Sequence, residues 1–451
     1  MPHFHHLPIE IGLEVTKWLC PHCTHAKKGH CRDERCTFTS GCNCAHHWNG
    51  RYEYGRGPYD AVALVRLCRA SKCLNSIATS HLYHRPTCAR WWLLARTLVV
   101  RPDLGLLVRA LHGHLWILSA NMPRRFPRKV LDHYRDDPAV LDLLGAREWE
   151  ELWDETTPLN VLTSLCPNLE ELEAAVEGDG NNVAFGLGSH ESLKRLKSVE
   201  LRQAEPETNG GMEFGRIMNL TTQAPNLTRI VCHSPKMYEL SWDLEDLVIL
   251  PFANLIDLRL YHSIISAKSL PILFAACPNI QSFTFESRGF HVGDNYLTPW
   301  SMQEALARYA PTLVSLSLDC TNESQHLPAQ GSTDHTLMRS LTALSKLEHI
   351  MLDLTYIIEP TNESGTQGSP SASDPELLVH LLPASIRSFK LKQDAYVRPD
   401  LSTLRKALTH LAAAVPERFP QLEQLTLAGV GEEILLEAKL AFEAHGIKIC
   451  L

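Results

Sequence analysis

A six-residue phrase with apolar side chains at its first, fourth and sixth positions recurs nine times between residues 169 and 427. It reads Leu169–Leu172–Ala174, Leu196–Val199–Leu201, Leu227–Ile230–Cys232, Leu255–Leu258–Leu260 and Ile280–Phe283–Phe285. It continues as Leu313–Leu316–Leu318, Leu347–Ile350–Leu352, Ile386–Phe389–Leu391 and Leu422–Leu425–Leu427. Successive starts lie 25 to 39 residues apart. The last two apolar positions are two residues apart, the period of a strand. Before most phrases lies a stretch with helical spacing, such as SAKSLPILFAACP, TPWSMQEALARYAP and STLRKALTHLAAAVPERFP. The Ser or Thr that opens each is placed to cap a helix, and the closing Pro to stop it. One helix–strand unit cannot cover its own apolar face, so neighbouring units must stack.

The flanks extend the pattern. Residues 91–111 predict an atypical first repeat, a helix followed by a strand near Val108–Leu111, and residues 123–155 predict a helical connector. The C-terminal EEILLEAKLAFEAHGIKICL predicts a helix, a stop at Gly446 and a short edge strand. The segment 359–374 has no large apolar side chain to offset its ordering entropy and is expected to be disordered. The recurring phrase resembles the leucine-rich repeat. It departs from the regular form in its variable period and in mostly lacking the Asn or Cys that follows the strand. The resemblance implies an α/β fold: an irregular solenoid with a curved parallel sheet inside and helices outside.

The N-terminal part reads differently. LPIEIGLEVTKWL places apolar residues 7, 11, 15, 18 and 19 on one helical face. Pro8 suits the first turn, where its missing N–H costs nothing. Periodicity alone favours a helix buried in its own domain. The residues Leu7-Pro8-x-Glu10-Ile11, Val15 and Trp18-Leu19 resemble the opening of an F-box. AVALVRLCRASKCLNSIATSHLYHRP (Ala61–Pro86) resembles its second and third helices, with Leu64, Leu67, Leu74, Ile77 and Leu82 in place. An insertion of some 40 residues separates the halves.

The order, an F-box followed by leucine-rich repeats, resembles fungal-type F-box/leucine-rich-repeat proteins. The resemblance implies a substrate-recognition subunit of a Skp–cullin–F-box ubiquitin ligase. Leu7, Pro8, Ile11, Val15, Leu19, Leu64, Leu67, Leu74, Ile77 and Leu82 would then bind the Skp-type adaptor, and the repeats would hold a target protein. Catalysis would belong to other subunits, so the chain itself is expected not to be an enzyme. In keeping with this, it has no phosphate-binding Gly-x4-Gly-Lys-Ser/Thr, no Gly-x-Ser-x-Gly and no His-Glu-x-x-His. The expected division is an F-box over 1–90 split by the insertion at 20–59, a first repeat and connector over 91–160, and the array over 161–451.

The insertion carries six of the fourteen cysteines, Cys20, Cys23, Cys31, Cys36, Cys42 and Cys44, with His22, His25, His30, His46 and His47 interleaved. Cys-x-x-Cys lets two thiolates from one tight turn meet a tetrahedral zinc, and the remaining cysteines can supply a second pair. The segment has few apolar residues, so metal would have to order it. One or two structural zinc ions are expected, with the six cysteines as candidate ligands.

Part of the segment, Cys20-x2-Cys23-x7-Cys31 with Lys27-Lys28 inside, also resembles the first half of a fungal binuclear zinc cluster that binds DNA. The second half does not follow with the expected spacing. A zinc-dependent DNA binder and a repeat scaffold without a ligase role are therefore the alternatives.

Charge separates the two parts. Residues 1–135 hold 20 Lys and Arg against 8 Asp and Glu, whereas the rest hold 23 against 43. Different surfaces imply different partners. A basic N-terminal part suits the acidic Skp-type adaptors that the resemblance implies. No run of about 18 apolar residues is present to span a membrane. The opening residues have no basic and apolar regions of a secretory signal. The expected compartment is the cytoplasm or nucleus, with reduced or metal-bound thiols.

Overall fold

The computed structural model describes residues 9–20, 61–86, 91–113, 162–176, 193–203, 212–213, 224–237, 252–287, 297–319, 337–358, 374–393 and 401–450. Residues 359–373 of the segment expected to be disordered, the connector at 123–155 and residues 21–59 of the insertion lie outside them. The chain forms two compact units, one of residues 1–212 with 216–228 and one of residues 213–215 with 229–451. The architecture is α/β, with parallel strand pairing in both units. No helix among the described residues is long and apolar enough to cross a membrane.

The first unit begins with three helices: α1 (Ile9–Leu19), α2 (Ala61–Ala70) and α3 (Lys72–His84). Ser71 alone separates α2 from α3. Its extended backbone turns the chain, and its hydroxyl accepts from the Leu74 N–H at 3.1 Å to cap α3. The Asn75 side-chain amide donates to the Cys68 carbonyl at 2.9 Å and braces the same corner. Leu64, Ile77 and Ala78 are buried between the helices. Helix α1 packs through Gly12, where an added Cβ would already touch Ile77 at 3.4 Å. Its neighbour on that face, Thr16, is fully buried and donates to the Gly12 and Leu13 carbonyls at 3.0 and 2.9 Å.

Helices α4 (Trp91–Val100) and α5 (Pro102–Gly105) then lead into strand β1 (Ala110–Gly113). The order is the helix followed by a strand expected over residues 91–111, with the strand starting two residues later. Gly105 is required there: a Cβ would lie 2.2 Å from the Leu165 carbonyl oxygen. The Arg109 N–H donates to the His84 carbonyl at 2.9 Å and ties the end of α3 to the start of β1. Strand β2 (Glu171–Val176) pairs with β1 on one side and β3 (Ser198–Gln203) on the other, aligning Leu111, Leu172 and Val199. A two-residue strand, β4 (Met212–Glu213), follows.

The second unit contains β5 (Arg229–His233), β6 (Pro235–Met237), β7 (Asp257–Ile265), α6 (Ser269–Ala276), β8 (Ser282–Ser287), α7 (Pro299–Tyr309) and β9 (Ser315–Asp319). It continues with β10 (His349–Asp353), α8 (Leu377–Leu381), β11 (Ser388–Lys392), α9 (Leu401–Arg418), β12 (Gln424–Ala428), α10 (Glu432–Glu443) and β13 (Lys448–Cys450). From β7 to β13 each strand lies beside the next in the sequence, and β5 and β6 pair with successive stretches of β7. The capping expected from sequence is present at α7, where Thr298 and Ser301 form a capping box and Pro299 opens the first turn. Helices α6, α7 and α9 end two residues before Pro278, Pro311 and Pro420. Two kinks sit side by side. Ser234 and His262 both take left-handed backbone (φ 59° and 50°), and the Ser234 N–H donates to the Tyr261 carbonyl at 2.7 Å.

All nine phrases share one backbone device. The N–H of the first apolar residue donates to the carbonyl three residues earlier: Leu169 to Cys166, Leu196 to Leu193, Leu227 to Ala224, and so on to Leu422 to Phe419. This tight turn ends the descending segment and aims the chain into its strand. The Pro-Asn that often precedes a phrase gains a reason. The Asn168, Asn226 and Asn279 side chains donate to the carbonyls of Leu106, Lys194 and Ala253 in the preceding unit, at 2.8, 2.6 and 2.8 Å. The fourth and sixth phrase positions are buried in every unit, as strand periodicity requires.

Candidate functional site

Three features of the described residues carry chemistry. The first is the outer face of α1. Ile11, Val15 and Trp18 are 47%, 45% and 69% exposed. At 3.6 residues per turn they fall within about 60° of arc, beside the buried Gly12–Thr16 stripe. An amphipathic helix that served only its own domain would bury these side chains instead. The residues that face inward, Gly12 and Thr16, are small or polar, and the apolar stripe faces outward.

The other residues assigned to adaptor binding divide by position. Leu64 and Ile77 are buried inside the helical unit, and Leu19, Leu67, Leu74 and Leu82 are half-buried. Leu7 and Pro8 lie outside the described residues.

The second feature is a cluster of metal-ligating side chains. Cys20 follows the last residue of α1, and its N–H donates to the Thr16 carbonyl at 3.0 Å, so its position is fixed by the helix. It is fully buried. His81 and His84 lie one turn apart at the end of α3, on the same side of the helix. The Cys20 Sγ lies 3.7 Å from the His84 Nδ1, and the two imidazole rings meet edge to face with centroids 4.8 Å apart. One donor atom from each of the three residues falls within 4.8 Å of the others, an arrangement that can hold a metal ion.

Of the six candidate cysteines, Cys20 is the one described; Cys23, Cys31, Cys36, Cys42 and Cys44 lie outside the described residues. The two histidines were not among the expected ligands. Their signal was a His-x-x-His spacing at the end of a helical segment.

The third feature lies in the second unit. The residue directly after the last apolar position of four consecutive phrases is Glu286, Asp319, Asp353 and Lys392. Glu286 is in register with Asp319 across β8 and β9, and Asp353 with Lys392 across β10 and β11. They form a row at the C-terminal ends of adjacent parallel strands. Lys392 Nζ reaches past Asp353 to Asp319 Oδ2, 2.5 Å away. Asp353 is fully buried; its Oδ1 accepts from the Thr355 N–H and hydroxyl at 2.9 and 2.7 Å, while Oδ2 has no partner. Burial pushes the Glu286 carboxyl up to about 7, with the Asp319 charge adding and Lys392 opposing. Burial also pushes Asp353 up to about 6, against the two hydrogen bonds from Thr355. His262, at the β7 kink, places its Nδ1 3.2 Å from Glu286.

Comparison of the chain with protein-family models finds no match, and comparison with curated proteins finds none.

Proposed function

We propose that the chain is a fungal-type F-box/leucine-rich-repeat protein, the substrate-recognition subunit of a Skp–cullin–F-box ubiquitin ligase in the cytoplasm or nucleus. The observation that carries this reading is the exposed apolar stripe Ile11–Val15–Trp18 on a helix otherwise packed through Gly12 and Thr16. The stripe docks the adaptor. Leu64 and Ile77 hold the three helices together behind it, and the half-buried Leu67, Leu74 and Leu82 border the interface. The basic character of residues 1–135 steers the acidic adaptor. The strand array forms the leucine-rich solenoid and holds the target protein. Zinc in the Cys/His-rich insertion is a structural cofactor, and the chemistry of ubiquitin transfer resides in other subunits.

Co-expression with a Skp-type adaptor tests the reading. The wild-type chain is expected to co-elute with the adaptor. Ile11→Asp and Val15→Asp are each expected to weaken the complex at least about a hundredfold, because a carboxylate would be buried without a partner. Both side chains are exposed in the chain alone, so its own melting temperature should hardly move. Wild-type protein that ignores the adaptor would leave a repeat scaffold without a ligase role.

A further inference from the structure

The pairing of Cys20 with His81 and His84 carries a separate conclusion, which does not depend on the receptor reading. We infer that these three side chains are ligands of one zinc-class divalent ion, which joins the last turn of α1 to the last turn of α3 although they are some 60 residues apart in sequence.

Geometry supports it first. With Zn–S near 2.3 Å and Zn–N near 2.05 Å, a tetrahedral centre sets sulfur and nitrogen roughly 3.6 Å apart. The Cys20 Sγ to His84 Nδ1 distance is 3.7 Å. The edge-to-face rings of His81 and His84 are what two imidazoles adopt when their nitrogens converge on one point and their planes avoid each other.

Electrostatics supports it independently. Both helices end at the cluster, α1 at Leu19 and α3 at His84. Each helix C-terminus carries roughly half a negative charge in its last carbonyls, so two such ends favour a cation between them. The bound ion would in turn hold the buried Cys20 sulfur as a thiolate by compensating its charge.

The donor set selects the metal. One thiolate and two imidazoles, without a carboxylate, suit zinc and exclude magnesium or calcium, which require oxygen. His84 turns Nδ1 toward Cys20, and with Nδ1 on the ion its Nε2 would carry the ring proton. The three protein donors leave a fourth position for a solvent molecule or a further side chain. The ion would fix the angle at which α1 lies on α3, and with it the direction of the Ile11–Val15–Trp18 stripe.

The test uses the full chain and zinc itself. Elemental analysis is expected to show that His81→Asn and His84→Asn each carry about one zinc fewer per chain than wild type. In cobalt-substituted protein, both variants and Cys20→Ser should lose part of the thiolate-to-cobalt absorption seen in wild type. The histidine variants separate this centre from any all-cysteine site elsewhere, which they would leave intact. Folded His81→Asn and His84→Asn proteins with wild-type zinc content and an unchanged cobalt spectrum would overturn the inference, and the cluster would be a thiol–imidazole hydrogen bond only. His81 is buried, so its variant can fail to fold; zinc-edge X-ray absorption of wild type then decides. A shell of mixed sulfur and nitrogen with imidazole scattering, diminished in His84→Asn, supports the site. An all-sulfur shell sinks it.

Discussion

The three helices of residues 9–84 and the strands of residues 229–450 bury apolar surface by different means. In the strand array Leu258, Leu260, Phe283, Leu316, Leu318, Phe389 and Leu391 are 1% exposed or less, each covered by the equivalent positions of the units beside it. Phe283 meets Phe274 of α6 edge to face, with centroids 4.9 Å apart. In the helical unit the residues that α1 buries are Gly12 and Thr16, while Ile11, Val15 and Trp18 face outward. The array thus buries its phrase positions, although Leu436 and Leu440 of α10 are 61% and 69% exposed, whereas α1 turns most of its large apolar side chains outward.

That contrast breaks most visibly under two substitutions. Phe283→Ala removes a fully buried ring from the array and is expected to cost about 3–5 kcal/mol of stability, read by urea unfolding. Ile11→Asp puts a charge on an equally apolar position of α1 and is expected to change stability by no more than about 0.5 kcal/mol. If Ile11→Asp unfolds the chain, the α1 stripe belongs to its own core and the contrast is void. If Phe283→Ala is silent, the array does not depend on its phrase positions.

Much of the array could be read from the chain because its information is local. The phrase spacing gave the strands, and the Thr298 cap and the prolines gave the helix ends, since each depends on residues within one turn. Even the carboxylate row was present as the residue after the last apolar position of four phrases. What could not be read there was its burial, which depends on the stacking of separate units. In the helical unit the reverse holds. Cys20 was legible as a candidate ligand from its Cys-x-x-Cys context, but His81 and His84 were not, because their meeting with Cys20 depends on how α1 crosses α3. In that crossing Gly12, which reads in sequence as a weak helix residue, faces Ile77, 3.4 Å from where a Cβ would stand.

The carboxylate row sharpens the comparison through pH. Asp353 rises from an ordinary 3.8 to about 6, and Glu286 from 4.5 to about 7. The folded array thus holds protons that the unfolded chain releases. The stability these groups allow is fully present below about pH 4 and is lost as pH rises through 6 to 7. Asp353→Asn keeps an oxygen to accept from Thr355 and places an amide where Oδ2 has no partner. It is expected to stabilise the protein at pH 8 by about 1–3 kcal/mol and to have little effect at pH 4. Thermal melts of both forms at the two pH values decide this. Equal melting temperatures at pH 8 would mean that Asp353 stays ionised at little cost, with Lys392 neutralising it. No comparable row is present among the described helical residues, so the pH-dependent part of stability should follow the array.

The smallest expected effect concerns the asparagines between units. Asn279 donates to the Ala253 carbonyl at 2.8 Å, but at an exposed position where water competes for both groups. Asn279→Ala is therefore expected to cost only about 0.5–1.5 kcal/mol. Two other phrases show how the position tolerates substitution. Thr312, directly before Leu313, donates to the Ile280 carbonyl at 2.7 Å, and Ser385, directly before Ile386, donates to the Leu347 carbonyl at 2.8 Å. These shorter side chains reach the first residue of the preceding phrase, where Asn reaches two residues further back. A hydroxyl at position 279 should then find the Leu255 carbonyl and recover part of the loss. Chemical denaturation of the Asn279→Ala and Asn279→Thr variants measures this, with Thr expected between Ala and wild type. If Thr is no better than Ala, the bond to the neighbouring unit is not what the position supplies, and the recurrence of Pro-Asn must come from the turn that Pro begins.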